Sequence, residues 1–86
     1  MRIILSNIFI KKLRKLPRRL QEQFKERRDL FLQDRFHPLL DNHPLHGKYL
    51  GCRSINITGD FRAIYEEVVS DIMYFITVGT HSELYG

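Results

Sequence analysis

The 86-residue sequence has one cysteine, Cys52, no tryptophan and no long hydrophobic segment. A single cysteine excludes an internal disulfide and suits a reducing compartment. The longest uninterrupted apolar run, residues 72–76, is much shorter than a membrane span. Ser6 and Asn7 interrupt the apolar N-terminal stretch, and no cleavage site typical of a signal peptide follows it. We therefore expect a cytoplasmic protein that makes no membrane contact.

The sequence also lacks the motifs of several enzyme classes. It has no Gly-rich phosphate-binding loop, no paired cysteines and no nucleophile elbow. The histidines His43, His46 and His81 leave a metal site open as an alternative, but no cysteine pair or carboxylate cluster accompanies them. We expect neither a metal ion nor another cofactor.

The composition, with 43% hydrophobic and 28% charged residues, predicts one globular domain with a modest core. The net charge of +4 is unevenly distributed along the chain. Residues 1–35 contain 11 of the 14 Lys and Arg with four acids, whereas residues 36–86 contain three bases and six acids. This asymmetry favours a basic face that meets an anionic partner, nucleic acid first, although a solvated helix surface explains the charge equally well.

The first half of the chain has the pattern of a short strand followed by two helices. Residues 2–5 read as the strand, and Ser6 is a good helix N-cap. Apolar residues then recur every three or four positions from Phe9 to Phe24, as on one stripe of a helix. Pro17 interrupts this stripe, so we predict helices over residues 7–15 and 18–34 that form a hairpin.

The second half has the pattern of an ordered loop and three strands. Two prolines and two glycines exclude a regular helix over residues 36–51. The segments "SINIT", "FRAIYEE" and "IMYFITV" read as strands joined by short turns. We therefore predict an α+β domain with the order β-α-α-β-β-β, in which the helix hairpin covers one face of a small, mainly antiparallel sheet. The opposite face is expected to be concave and partly open.

Side chains suited to proton transfer and phosphate binding occur after position 40. They are His43 and His46 in the loop, Asp60 at a turn, Arg62 on a strand, and His81 and Tyr85 in the C-terminal tail. Ordinary structural roles are the alternative for each: a turn residue, a loop hydrogen bond, a surface ion pair of Arg62 with Glu66 or Glu67, or an apolar plug. His37 and His46 are interpreted as surface residues.

At these positions the sequence resembles a known family. The segments "HPLHG", "GCRSINITGDFRAIY" and "VGTHSELYG" are similar to the RelE superfamily of bacterial toxins, especially its YafQ-like branch. The resemblance covers nearly the whole chain and implies a single RelE-like toxin domain over residues 1–86. It also implies a ribosome-dependent endoribonuclease, encoded beside an antitoxin, that cuts mRNA in the ribosomal A site and stops translation.

The branch pattern is matched at His43, Asp60, His81 and Tyr85. It departs at Asn56, where the branch carries a further histidine that could transfer a proton near neutral pH. Arg62 stands where other RelE-like branches place an arginine that contacts the scissile phosphate. The sequence therefore combines two versions of the site.

The chemistry implied by the resemblance is attack of an RNA 2′-hydroxyl on the neighbouring phosphate, without a metal ion. Histidine suits the proton transfers, and arginine can bind two phosphate oxygens at once. The expected roles are a general acid or base for His81, a transition-state clamp for Arg62, and a proton-transfer or orienting pair for His43 with Asp60. Tyr85 would stack on a base or hydrogen-bond the phosphate.

The implied partners are a cognate antitoxin, in a hetero-oligomer, and the mRNA-bearing ribosome. Basic residues would contact the 16S rRNA; they are Lys11, Lys12, Lys15, Arg18, Arg19, Lys25, Arg28, Lys48 and Arg53. Two other functions stay open. A ParE-like toxin would share the fold but poison DNA gyrase, and a degenerate RelE fold, favoured by Asn56, would only bind a partner.

Overall fold

The computed structural model describes residues 1–86 and contains a five-stranded sheet with three α-helices. In chain order the elements are β1 (Arg2–Leu5), α1 (Asn7–Lys15), α2 (Arg18–Gln33), β2 (His43–Pro44), β3 (Arg53–Thr58), β4 (Phe61–Val69), β5 (Ile72–Thr80) and α3 (His81–Tyr85). Two single-turn 3₁₀ helices, Pro38–Leu40 and Gly47–Tyr49, lie on either side of β2. No helix combines the length and hydrophobicity needed to cross a membrane.

The predicted α+β architecture is confirmed. The strands lie in the order β1-β5-β4-β3-β2, with β1 parallel to β5 and the other pairs antiparallel. Two elements were not predicted. The loop over residues 36–51 contributes β2 at one sheet edge, and the C-terminal tail forms α3 instead of an extended end.

The helix hairpin forms where the sequence predicts it. The Ser6 hydroxyl accepts a hydrogen bond from the Phe9 N–H at 2.9 Å, which satisfies one free amide of the first turn. Leu16 and Pro17 have extended backbones that separate α1 from α2, and α2 ends one residue before the predicted boundary. The hairpin packs on one sheet face, where an aromatic cluster that includes Phe9, Phe31 and Phe75 is fully buried.

The opposite sheet face is partly covered by side chains. The expected open concave face is therefore limited to a cleft beside them. Leu45, Cys52, Ile64 and Leu84 form a second cluster there, which we call the C-terminal core. Burial raises the pKa of the Cys52 thiol, with a smaller contribution from the charge of Glu66, and this favours an unreactive thiol. The C-terminal core joins the loop, β4 and α3, so it fixes the walls of the adjoining cleft.

Candidate active site

The short helix α3 brings the C-terminal residues back onto the sheet. Thr80 Oγ1 accepts from the Glu83 N–H at 3.2 Å, and Glu83 Oε1 accepts from the Thr80 N–H at 2.7 Å, which forms a capping box. The Thr80 N–H bond is the main cause of the lowered pKa of the Glu83 carboxyl. Gly79 permits the close approach, since a Cβ at this position would lie 3.1 Å from Glu83 Oε1. His81 is therefore held in the first turn of a capped helix.

A cleft of about 370 Å³ opens between α3, β4 and the segment that contains β2. It is the larger of two surface clefts. Its walls are formed by His43, Pro44, Leu45, His46, Arg62, His81 and Tyr85. Three imidazoles, a guanidinium and a phenol thus share one cavity.

Arg62 is held firmly at the base of this cleft, and its side chain is only 12% exposed. Its Nε donates to the Ser54 hydroxyl, and its Nη2 donates to the carbonyl oxygens of Asp41, at 2.8 Å, and Ser54, at 3.2 Å. Nη1 donates to Asp41 Oδ2 at 3.3 Å. The suggested pairing of Arg62 with Glu66 or Glu67 is wrong, because the loop supplies acceptors that those strand residues do not.

His43 is oriented by the same loop. Its Nδ1 lies 2.9 Å from the carbonyl oxygen of Asp41, and no group binds Nε2. Because a carbonyl oxygen can only accept, the contact places a proton on Nδ1, and in a neutral ring this leaves the lone pair on Nε2. Arg62 Nη2 lies 3.4 Å from Nδ1. The contact with Asp41 therefore favours the neutral tautomer of His43 in which Nε2 can accept a proton.

His81 and Tyr85 form the part of the cleft wall that α3 contributes. Their ring centroids lie 4.8 Å apart, and Tyr85 packs edge-on against Tyr49 at 6.1 Å. Both side chains are exposed enough to contact a ligand. The backbone N–H of His81 donates to the carbonyl of Asp60 at 3.2 Å, which ties the start of α3 to the β3–β4 turn.

The sequence of residues 2–86 matches the family described as bacterial toxin of type II toxin-antitoxin system, YafQ. The chain belongs to this YafQ toxin family. The resemblance to RelE-superfamily toxins of the YafQ-like branch is thereby confirmed. Among curated proteins, no sequence matches this toxin.

Solved structures share the fold of this YafQ-family toxin. YafQ from E. coli strain BL21(DE3) is 23% identical, with a TM-score of 0.81 over 98% of this chain and 97% of that one. The toxin chain of the E. coli DinJ-YafQ complex is 24% identical, with a TM-score of 0.78 over 98% and 96%. The archaeal RelE-RelB complex from Pyrococcus horikoshii OT3 is matched at 21% identity, with a TM-score of 0.72 over 92% of each chain.

Four of the five predicted catalytic residues of the toxin line the cleft, and Asp60 does not. The Asp60 side chain is exposed, and it forms no hydrogen bond or ion pair with His43, so the predicted His43–Asp60 pair is absent. Asn56 also lies outside the cleft walls, where its amide donates to the Gly59 carbonyl at 3.1 Å. No group of three His, Cys, Asp or Glu side chains is arranged to hold a metal ion.

His46, which the sequence interpretation left as a surface residue with no role in the site, is exposed and lines the cleft. The available signal was its position three residues after His43, in a segment already assigned to the site. Leu45 points into the C-terminal core, so the chain turns and returns His46 to the cleft.

The predicted RNA-binding bases differ in their surroundings. Lys25 pairs with Glu22 at 3.7 Å and Arg28 pairs with Asp29 at 3.1 Å, which offsets their charge. Lys12 donates to the Thr77 hydroxyl, and Arg53 donates to the Asn42 side chain. Some exposed lysine and arginine side chains on the helices and the loop form no hydrogen bond or ion pair; they are Lys11, Lys15, Arg18, Arg19 and Lys48.

Proposed function

We propose that this toxin is an endoribonuclease that cleaves mRNA in the ribosomal A site and so inhibits translation. Residues 1–86 would act as one catalytic domain. The observation that carries the proposal is the single cleft shared by His43, Arg62 and His81, which lie far apart in sequence. Proton transfer and phosphate binding are the two functions that cleavage of RNA through its own 2′-hydroxyl requires.

The orientation of His43 supports a role as general base. Its bare Nε2 would accept the proton of the 2′-hydroxyl while the 2′-oxygen attacks the phosphorus. The bond from phosphorus to the 5′-oxygen then breaks, and His81, as general acid, would protonate the departing oxygen. The products are a 2′,3′-cyclic phosphate and a 5′-hydroxyl. Each positioned acid or base contributes about 10²–10⁴-fold.

The other predicted site residues support this reaction in different ways. Arg62 would stabilise the charge that develops on the phosphoryl oxygens, since its guanidinium stays charged and can donate a charge-assisted hydrogen bond to phosphate. Tyr85 would stack on a base, worth about 1–3 kcal/mol. Asp60 is assigned a positioning role, because its main-chain carbonyl holds the N-terminus of α3. These side chains supply both proton transfers and charge stabilisation, so the mechanism needs no metal ion.

The partners follow from charge and family. We propose a cytoplasmic complex with a cognate antitoxin, as the E. coli DinJ-YafQ and archaeal RelE-RelB structures are toxin–antitoxin complexes. The basic hairpin favours an acidic antitoxin segment. In the active toxin, the bases on α1 and α2 would contact 16S rRNA, so binding to ribosomes should weaken as salt rises.

The test is inducible expression in a bacterial host with His81→Gln and His37→Gln as matched variants. His37 lies outside the cleft, where its Nδ1 accepts from the Leu39 N–H at 3.1 Å, so its replacement should leave activity intact. We expect growth arrest and in-frame mRNA cuts with the wild type and His37→Gln, mapped by primer extension, and neither with His81→Gln.

Each other outcome contradicts a defined part of the proposal. Arrest without cuts would indicate a gyrase poison or another target. No arrest by a folded wild type would indicate a binding module. Cleavage by His81→Gln at the wild-type rate would remove His81 from the mechanism. Co-purification of every variant with the antitoxin checks that each one is folded.

A further inference from the structure

The capacity of Arg62 to bind a phosphate is largely used within the protein. Its Nε and both Nη2 hydrogens are directed at Ser54 and Asp41, and one Nη1 hydrogen is directed at the Asp41 carboxylate. Of the five N–H groups of a guanidinium, one is left unpaired. The transition state of phosphoryl transfer places charge on two non-bridging oxygens, so one arginine in this arrangement satisfies it incompletely.

His46 faces the same cleft with its ring unused. The imidazole forms no hydrogen bond or ion pair, and it does not cap the 3₁₀ helix that follows it. Both ring nitrogens are therefore available to a ligand. The other titratable and charged groups that line the cleft with it are His43, Arg62, His81 and Tyr85.

The segment that carries His46 is anchored at both ends. The Leu45 side chain is buried in the C-terminal core, and its N–H donates to the Cys52 carbonyl at 3.0 Å. The Cys52 N–H donates to the Tyr49 carbonyl at 2.9 Å. Tyr49 in turn packs against Tyr85 of α3. This closed loop holds His46 in a fixed relation to α3, as a preorganised donor requires.

We propose that His46, in its protonated form, is a second phosphate-binding residue that donates to a non-bridging oxygen of the scissile RNA phosphodiester. Phosphate binding by His46 is independent of the proposed nuclease function, whereas its contribution to cleavage rests on that function. His46 would supply a hydrogen-bond donor that Arg62 cannot supply, because Arg62 is bound to Asp41 and Ser54. A charged donor is the stronger one, so the contact depends on pH.

Binding without cleavage tests the site directly. The probe is a 2′-O-methyl RNA trinucleotide, which lacks the attacking hydroxyl, titrated to millimolar concentration and followed by NMR. We expect wild-type affinity to be higher at about pH 5.5 than at about pH 8, because a charged donor binds a phosphate more strongly than a neutral one. His46→Gln should bind about tenfold to hundredfold more weakly at low pH, the size of a charge-assisted hydrogen bond. His46→Arg should keep the affinity and lose part of its pH dependence.

The comparison of His46→Arg with the wild type isolates His46 from His43 and His81, which are present in both proteins. His37→Gln is the control, because it removes a histidine outside the cleft. Equal affinity of wild type and His46→Gln at every pH would overturn the proposal, and so would the absence of saturable shifts at cleft residues. Thermal unfolding of both His46 variants establishes that they are folded.

Single-turnover cleavage of ribosome-bound mRNA separates phosphate binding from proton transfer. We expect His46→Gln to lose about 10²–10³-fold in rate and His46→Arg to retain most of it. A loss in His46→Arg as large as that in His46→Gln would show a proton-transfer role and contradict the assignment. If the wild type binds the trinucleotide through His46 but cuts no RNA, the nuclease function fails while the phosphate site stands.

Discussion

The ion pair of Asp41 with Arg62 predicts that the free toxin binds RNA less tightly than its cleft permits. Asp41 Oδ2 lies 3.3 Å from Nη1 of Arg62, the residue that we propose binds the RNA phosphate. Asp41→Asn removes the competing negative charge and keeps the backbone carbonyl that Arg62 and His43 use. Asp41 has a left-handed backbone with φ of 46°, and asparagine adopts that conformation readily.

The size of the effect follows from exposure. The Arg62 side chain is 12% exposed, but that of Asp41 is 71% exposed, so water screens the pair. Exposed ion pairs contribute about 0.2–1 kcal/mol to stability. Because Arg62 is fixed in place, we expect a value near the top of this range. A phosphate that no longer displaces the carboxylate gains about 1 kcal/mol, which is about fivefold in affinity. The free energy of unfolding should fall by no more than about 1 kcal/mol.

The assay is titration of the 2′-O-methyl trinucleotide at low ionic strength, where such pairs are least screened. Asp71→Asn is the matched control, since Asp71 also has a left-handed backbone, with φ of 67°, but lies in the β4–β5 turn at the other end of β4. We expect tighter binding by Asp41→Asn alone. An equal gain in affinity in both variants would show that only the net charge matters. Unchanged or weaker binding by Asp41→Asn would refute the hypothesis that Asp41 competes with the phosphate for Arg62.

Further predictions concern the elements that position the cleft. Leu84→Ala should lower the free energy of unfolding by about 2–5 kcal/mol, measured by denaturant titration, because the side chain is 1% exposed in the C-terminal core. Folding lowers the pKa of the Glu83 carboxyl, so its ionised form stabilises the folded protein. This stabilisation is complete above the ordinary glutamate pKa and is lost as pH falls through the pKa in the folded state. Thermal unfolding from roughly pH 5 to pH 3 should show the loss in the wild type and not in Glu83→Gln. Replacing Arg18 and Arg19 together by Ala should weaken the salt dependence of ribosome binding, measured by sedimentation. The log–log slope should fall by about one for each RNA phosphate that the variant no longer binds. Replacing the lysine and arginine residues of the same helix that form ion pairs should have a smaller effect. Asn56→His should lower thermal stability by about 0.2–1 kcal/mol at pH 5.5 relative to pH 8, because a charged ring would oppose a cation across the strands.

The helices and strands could be predicted because each depends on neighbours in sequence. Ser6 caps α1, Pro17 separates the two helices, and alternating Ile55 and Ile57 in β3 point to the helix face. Periodicity and caps are local signals, and they placed these elements within about one or two residues. The α3 helix had such a signal too, in the capping box from Thr80 to Glu83, but its five residues are too few for an apolar period.

The interior of the site could not be predicted, because its contacts depend on strand register. Arg62 reaches Asp41, 21 positions earlier in the chain, because β2 pairs with β3 and β3 with β4. The two-residue strand β2 has no recognisable pattern, so the acceptors for Arg62 and the tautomer of His43 were hidden. Asp60 was assigned from the family pattern, and its exposed side chain does not line the cleft.

The two departures from the branch pattern lie opposite each other in the sheet. Asn56 of β3 pairs directly with Arg62 of β4, on the face that carries the cleft. A histidine at position 56 would place a second cation beside the guanidinium whenever it was protonated, and like charges opposite each other destabilise a strand pair. An asparagine there adds no charge, and its amide is satisfied by Gly59. The identity of residue 56 is therefore expected to be energetically coupled to Arg62 across the strand pair. A double-mutant cycle of Asn56→His with Arg62→Gln measures this coupling. Additive changes in the free energy of unfolding at about pH 5.5 would show that the two positions are not energetically coupled.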